Sequence, residues 1–143
     1  MAKARAPGAL RLRATLVVLD ITVPRPHERT RPELLAQLVE EIARDGVLKV
    51  PVLVEREHHV ILDGHHRWEA LRRLGCRRIP AYVVDYASEA ISLTTWPGAI
   101  VATVTKEEVV AHGVAGDLFP PKTTRHVLKD QLPESPVPLK DLM

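Results

Sequence analysis

Residues 61–75 read ILDGHHRWEALRRLG. The run opens apolar at Ile61 and Leu62, reaches Asp63 and Gly64, and then becomes a segment in which Trp68, Leu71 and Leu74 recur at helical spacing until Gly75 stops it. This pattern predicts a strand ending at Asp63, a tight turn at Gly64 and a helix starting at or near His65. A strand-to-helix turn exposes backbone N–H groups that have no intrahelical partner, and the helix dipole adds partial positive charge at the same point, so the turn suits an anion. The dipole alone contributes only about 0.3–1 kcal/mol. Much of any affinity therefore falls to His65, His66 and the planar fork of Arg67, which matches phosphate oxygens. Asp63 has two open readings here: a carboxylate that shares Mg²⁺ with phosphate oxygens, or a side chain that caps the helix. Neither a G-x-x-x-x-G-K-[ST] nor a G-x-G-x-x-G run occurs.

Two other stretches carry functional groups. In PHER, Glu28 follows a β-branched run and two prolines, Pro24 and Pro26, that limit local freedom. A glutamate of ordinary pKa, about 4.3, is a weak base, so catalytic use requires closeness to a substrate hydroxyl or a raised pKa. In LFPPKTTRH the residues Lys122, Thr123, Thr124, Arg125 and His126 offer donors suited to phosphate or carboxylate, on a segment whose prolines predict a loop. Trp96, before Pro97, is placed to wall a small-ligand pocket. Adjacent helical residues project about 100° apart. His65 and His66 therefore do not read as a metal pair, and the lone Cys76 reads as a small buried hydrophobe. Trp68 reads as core.

Around these stretches the elements alternate without a repeated βα order. Thr15–Val23 reads as a strand. Pro32 opens a helix with Leu34, Leu35, Leu38, Val39 and Ile42 on one side and Gly46 as its stop. Val50–Glu55 and His59–Leu62 read as short strands about a polar turn, RIPAYVVDY as a further strand, and Ala90–Thr95 as another. Thr105 and Glu108 match a capping box, opening a short helix through about His112. The order predicts a small α+β fold with a mixed sheet and packed helices.

The 143 residues have room for a single domain, with a basic arm over 1–14, a body over 15–132 and a proline-bearing tail over 133–143. Of the net charge of +2, Lys3, Arg5, Arg11 and Arg13 supply more than the whole, so the body is slightly acidic and no broad nucleic-acid face is expected. With 45% hydrophobic residues but no apolar run of membrane-spanning length, no apolar leader and one cysteine, the chain reads as a cytoplasmic globular protein.

Taken together, PHER, ILDGHHRWEALRRLG, the TTW segment and FPPKTTRHVL resemble the ParB/sulfiredoxin superfamily, and within it the free L-serine kinases that make O-phospho-L-serine. The resemblance spans roughly Thr15 to Leu142. It implies Glu28 as the base that takes the serine proton, Asp63 as the acid at the Mg²⁺ and phosphate site, and His65 beside them. It further implies that Gly64, His65, His66, Arg67, Lys122 and Thr123 hold the phosphates of ADP or ATP, while Trp96, Thr124, Arg125 and His126 border serine. Archaeal members of that group carry a large extra segment between the TTW strand and the KTTRH loop, where this chain has about two dozen residues. A ParB-like DNA- or nucleotide-binding regulatory module is the alternative the superfamily implies, although no recognition helix is legible after Tyr86. A sulfiredoxin-like reductase would need a cysteine where His65 and His66 stand.

Overall fold

The structure is a computed structural model that describes residues 12–143. Its centre is a four-stranded mixed sheet in the order β1-β5-β3-β4, built from β1 (Ala14–Asp20), β3 (Val52–Glu55), β4 (Ile61–Asp63) and β5 (Arg78–Val84). β5 pairs antiparallel with β1 and parallel with β3, and β3 pairs antiparallel with β4. Both faces of this sheet are covered, which is why β3 and β5 are near-continuous apolar runs rather than alternating ones.

On one face Val52, Val54, Ile61, Ile79 and Ala81 pack against Leu35 and Ile42 of α1 (Pro32–Asp45) and Ala70 and Leu71 of α2 (His65–Arg73). Cys76 lies buried in this layer. The other face sends Leu53, Val60, Leu62, Tyr82 and Val84 against Tyr86, Ala90, Ile91 and Val109. Val109 comes from α3 (Lys106–Ala115), whose start is closed by reciprocal hydrogen bonds between Thr105 and Glu108. Ile91 opens β6 (Ile91–Thr95), which pairs antiparallel with β7 (Thr124–Leu128) as a separate two-stranded ladder.

That ladder corrects the expected loop: Thr124, Arg125 and His126 lie on a strand, with Thr124 opposite Thr95. Pro120 and Pro121 end just before it, so they shape the turn into the strand without removing a donor from the ladder. The last residues also depart from a trailing tail. A short strand β8 (Val137–Pro138) pairs with β2 (Val47–Leu48), and Leu142 is buried in the α1/α2 layer. The Leu142 carbonyl accepts from the N–H groups of Arg77 and Arg78 at 2.7 and 3.0 Å. The basic arm lies mostly outside the described residues, while Leu12 is buried and Ala14 pairs with Val84. Among the described residues no helix is long and apolar enough to cross a membrane.

Because Leu142 completes the first core layer, Leu142→Ala is expected to lower unfolding stability by roughly 2–5 kcal/mol. Equilibrium urea unfolding followed by far-UV circular dichroism reads this; an unchanged midpoint would show that the C-terminal residues contribute nothing to the core.

Candidate active site at the start of α2

The segment from Arg25 to Arg31 has no regular structure, yet its alternate N–H groups are all taken. Arg25 donates to the His59 carbonyl at 2.9 Å and Arg29 to the Phe119 carbonyl at 2.8 Å. His27 N–H donates to Nε2 of His65 at 3.1 Å, and Arg31 N–H to Nε2 of His66 at 2.9 Å. The loop is therefore fastened to β4, to the start of α2 and to the segment before β7. His65 and His66 consequently differ from the expected free phosphate ligands. A ring nitrogen that accepts must be unprotonated, so each neutral imidazole carries its proton on Nδ1. Burial, the first cause in each, pushes both rings below the ordinary histidine pKa; the crowding of His27, His126 and His66 adds to it for His65, and the Lys122 and Arg31 cations add to it for His66.

Glu28 is the most heavily held side chain of the loop. Its Oε1 accepts from the Thr124 N–H and hydroxyl, both at 2.8 Å, and its Oε2 accepts from the Lys122 N–H at 3.1 Å. Lys122 adopts φ +61°, a left-handed conformation uncommon outside glycine, and the Thr123 hydroxyl closes the same turn by donating to the Pro120 carbonyl at 2.7 Å. Burial raises the Glu28 pKa, opposed by these donors. Thr123 is fully buried and spends its hydroxyl on the turn, so its side chain is not available to a phosphate as the sequence suggested.

Gly64 stands at the N-cap of α2 with φ +103° and provides no side-chain cap. A Cβ there would lie 2.7 Å from Val52 Cγ1 and 3.0 Å from Arg67 Nη2, so glycine is required both by conformation and by space. Asp63 does not cap the helix. Its exposed carboxylate sits 3.5 Å from Arg67 Nη2. Arg67 itself donates through Nη1 to the Val50 and Pro51 carbonyls at 2.9 and 2.7 Å, which redirects the expected phosphate fork to bracing the chain before β3. With no side chain capping α2, its first-turn N–H groups remain open to the cleft.

Of the residues expected at the site from sequence, all but Thr123 line one cleft of about 530 Å³. Glu28 enters from the first loop, Asp63 to Arg67 from the β4–α2 turn, and Trp96, Lys122, Thr124, Arg125 and His126 from the β6–β7 side. The Lys122 ammonium and the Arg125 guanidinium each lie 4.7 Å from the centre of the Trp96 ring, which fixes two cations at the cleft. Trp96 is in turn held by its indole N–H on the Thr124 carbonyl at 3.0 Å. His126 is a brace rather than a ligand through its ring nitrogens. Nε2 lies 2.7 Å from the Tyr86 hydroxyl, and the nearby Leu62 carbonyl is the one influence that favours the charged ring. Burial is the first cause that lowers its pKa, to about 3. His27, Tyr86 and the Trp96 cation pair were not legible as a set, because each depends on a contact across β6, β7 and the first loop. A larger cavity, about 620 Å³, lies beside Tyr86, Lys106 and Val110, but the Lys106 ammonium is already spent on the Tyr86 and Ser88 carbonyls.

Residues 10–95 match the model of the ParB N-terminal domain family. The chain belongs to that family. The chain is 36% identical over 104 residues to an ATP-dependent L-serine kinase of Staphylothermus marinus, covering 68% of this chain and 41% of that protein. It is 31% identical over 84 residues to an ADP-dependent L-serine kinase of Thermococcus kodakarensis, covering 56% of this chain and 35% of that protein. The chain thus spans about two fifths or less of the curated relatives it matches. A solved free serine kinase in complex with AMP superposes with a TM-score of 0.84 at 20% identity, covering 93% of this chain and 95% of that chain. That likeness is one of fold, and it extends well past residue 95, where the ParB N-terminal domain match stops.

The buried histidines of this chain, one inside the ParB N-terminal domain and one beyond it, make its stability depend on pH in a defined direction. His27, with its pKa lowered to about 4 chiefly by burial, and His126 at about 3 bind fewer protons folded than unfolded. Stability is fully present above the unfolded histidine pKa, about 6.5, and is lost as pH falls from there towards the folded values. The melting temperature is expected to be flat from pH 8 to 7 and to drop steadily from pH 6.5 to 4. A melting temperature unchanged over that lower range would show that these rings are already solvated.

Proposed function

We propose that this chain is a nucleotide-dependent kinase that phosphorylates the hydroxyl of free L-serine to O-phospho-L-serine, with Glu28 as general base. The observation that carries the reading is the position of one carboxylate. Glu28 is gripped by the Lys122–Thr124 backbone in the same cleft as the open N-terminus of α2. Phosphoryl transfer asks for positioning and neutralisation of oxygens more than for covalent chemistry, and this cleft offers both. The names of the relatives support the choice of serine as acceptor and of ADP or ATP as donor.

In this reading the first-turn N–H groups of α2, with Gly64 allowing close approach, receive the transferred phosphoryl group. The Nδ1–H of His66 is an additional donor, and Lys122 and Arg125 offset negative charge from the Trp96 side. A second cavity of about 390 Å³ adjoins the cleft through Asp63, Arg67, Arg125 and His126. Its apolar walls, Val50, Leu53, Leu132 and Pro133, suit a nucleobase. Among the described residues no group of three or more His, Cys, Asp or Glu side chains is placed to hold a metal alone. Asp63 fits the way Mg²⁺ is usually held, by one or two carboxylates together with substrate phosphates and water. Bound there, Mg²⁺ would neutralise phosphate oxygens.

Glu28 takes the proton as the serine O–H bond breaks. The serine oxygen then bonds to the terminal phosphorus while the bridging P–O bond opens, and the nucleotide leaves one phosphate shorter. Burial serves this step, because it keeps Glu28 more basic than a solvated glutamate.

Purified protein with Mg²⁺, L-serine and either ADP or ATP is expected to yield phosphoserine by mass detection, with AMP or ADP identifying the donor. Failure with both nucleotides would end the kinase reading. Glu28→Gln is expected to lower turnover by about 10²–10⁴-fold, with nucleotide binding by calorimetry largely kept. Unchanged turnover would remove Glu28 from the reaction.

A further inference from the structure

His27 is fully buried beside Glu28, and its ring nitrogens are committed at both ends. Nδ1 lies 2.7 Å from the Ile61 carbonyl, which can only accept, so Nδ1 carries a proton. Nε2 lies 2.9 Å from the Thr124 hydroxyl oxygen, and that same oxygen lies 2.8 Å from Glu28 Oε1. The three side chains therefore form a line: imidazole, hydroxyl, carboxyl.

Counting protons along that line gives a result the distances alone do not. A threonine hydroxyl has one hydrogen to donate. With a neutral imidazole and an ionised carboxylate, the hydrogen satisfies Glu28 or His27, and the other contact sets two lone pairs against each other. Adding one proton at Glu28 Oε1 resolves this. The carboxyl O–H then donates to Thr124 Oγ1, and the hydroxyl turns to donate to His27 Nε2. Every contact in the line becomes a hydrogen bond with the imidazole still neutral. A buried acceptor left without its hydrogen bond is costly, so the line favours the protonated carboxyl.

We propose that His27 is a positioning residue that acts through the Thr124 hydroxyl to favour proton uptake by Glu28: as the carboxylate gains a proton, the hydroxyl swings from Glu28 to His27. No proton leaves the line and His27 keeps its charge. When Glu28 releases its proton to solvent, the hydroxyl turns back. A carboxylate whose protonated form is favoured in this way is a stronger base towards an acceptor alcohol; that consequence rests on the kinase reading, whereas the coupling is a property of the free protein.

Other rings and titratable groups surround the line, and burial among them favours the neutral ring. His65 and His126 approach the His27 ring edge-on at 4.6 and 6.0 Å, Phe119 at 6.4 Å, and His112 adds a repulsive influence from α3. Glu28 faces the N–H groups of Lys122 and Thr124 directly, and shares the cleft with Asp63, His66, Arg67, Lys122 and Arg125.

The test needs no turnover. In ¹³C,¹⁵N-labelled wild-type protein, the Glu28 side-chain carboxyl carbon and His27 Nε2 are followed by NMR from pH 8 to 4. The expected result is one shared midpoint, above the ordinary glutamate value, at which the Nε2 signal shifts as it begins to accept while Nδ1 stays protonated. A Glu28 midpoint with an unmoved Nε2 signal overturns the proposal, as does protonation of both ring nitrogens at that step. As a second readout, His27→Asn places an amide N–H near the Nδ1 position and removes the distal acceptor. It is expected to lower the Glu28 midpoint by about one pH unit, equivalent to about 1.4 kcal/mol, and His27→Gln, which restores a distal acceptor, to recover part of it. An unchanged midpoint in a folded His27→Asn protein also overturns the coupling. If the coupling holds and no phosphoserine forms, only the kinase reading falls.

Discussion

The contact between Glu28 and the Lys122–Thr124 segment joins two parts of the chain that are 94 to 96 residues apart. The backbone of the first loop is tied elsewhere as well, but this contact is what holds a carboxylate against the segment before β7 as one wall of the cleft. The geometry of the turn follows from the same contact. Pro120 and Pro121 have no N–H to offer, Thr123 closes the turn with its hydroxyl, and the left-handed Lys122 lets two neighbouring N–H groups converge on one carboxylate. A half-buried carboxylate is tolerated because it is well supplied with donors, and its partial burial still leaves it less acidic than in water.

The histidines extend this scaffold. His65 and His66 turn their Nε2 atoms to backbone N–H groups of the first loop, and His126 is held by the Tyr86 hydroxyl. Imidazole can accept at one nitrogen and donate at the other, so a neutral buried ring can tie a loop on one side and a strand on the other. The cost is sensitivity to acid, since protonation removes the acceptor on which each tie depends. Such a site is organised as a rigid polar frame around a small open cleft, with the cations of Lys122 and Arg125 kept in place by the Trp96 ring. Preorganised charge of this kind suits phosphoryl transfer, where the protein's part is electrostatic.

The fold was largely legible in the chain. The helical spacing of Leu35, Leu38 and Ile42 after Pro32, the stop at Gly46, the capping box at Thr105 and Glu108, and the strand-to-helix turn at Gly64 are local signals. Local signals survive because backbone sterics and side-chain spacing act within a few residues. The reading erred where pairing overrode composition. The KTTRH stretch looks like a loop because of its prolines, but opposite Ile91–Thr95 it completes a ladder. The last residues look like a polar tail, but a single buried leucine and a two-residue strand return them to the core.

By itself, then, the sequence determined the elements that local signals mark, the anion-suited turn at residues 63–67 and the membership of the ParB N-terminal domain family. What only the tertiary structure decided is which polar atoms are free. Arg67 and His126 carry the right chemistry for a ligand, yet nearby carbonyls and a tyrosine hydroxyl claim them first. Glu28 is claimed as well, but by donors that hold it as a carboxylate at the cleft. That allocation follows from hydrogen-bond satisfaction across segments distant in the chain. A buried carbonyl or N–H must find its partner wherever the fold brings one, and no local pattern of residues records where that will be.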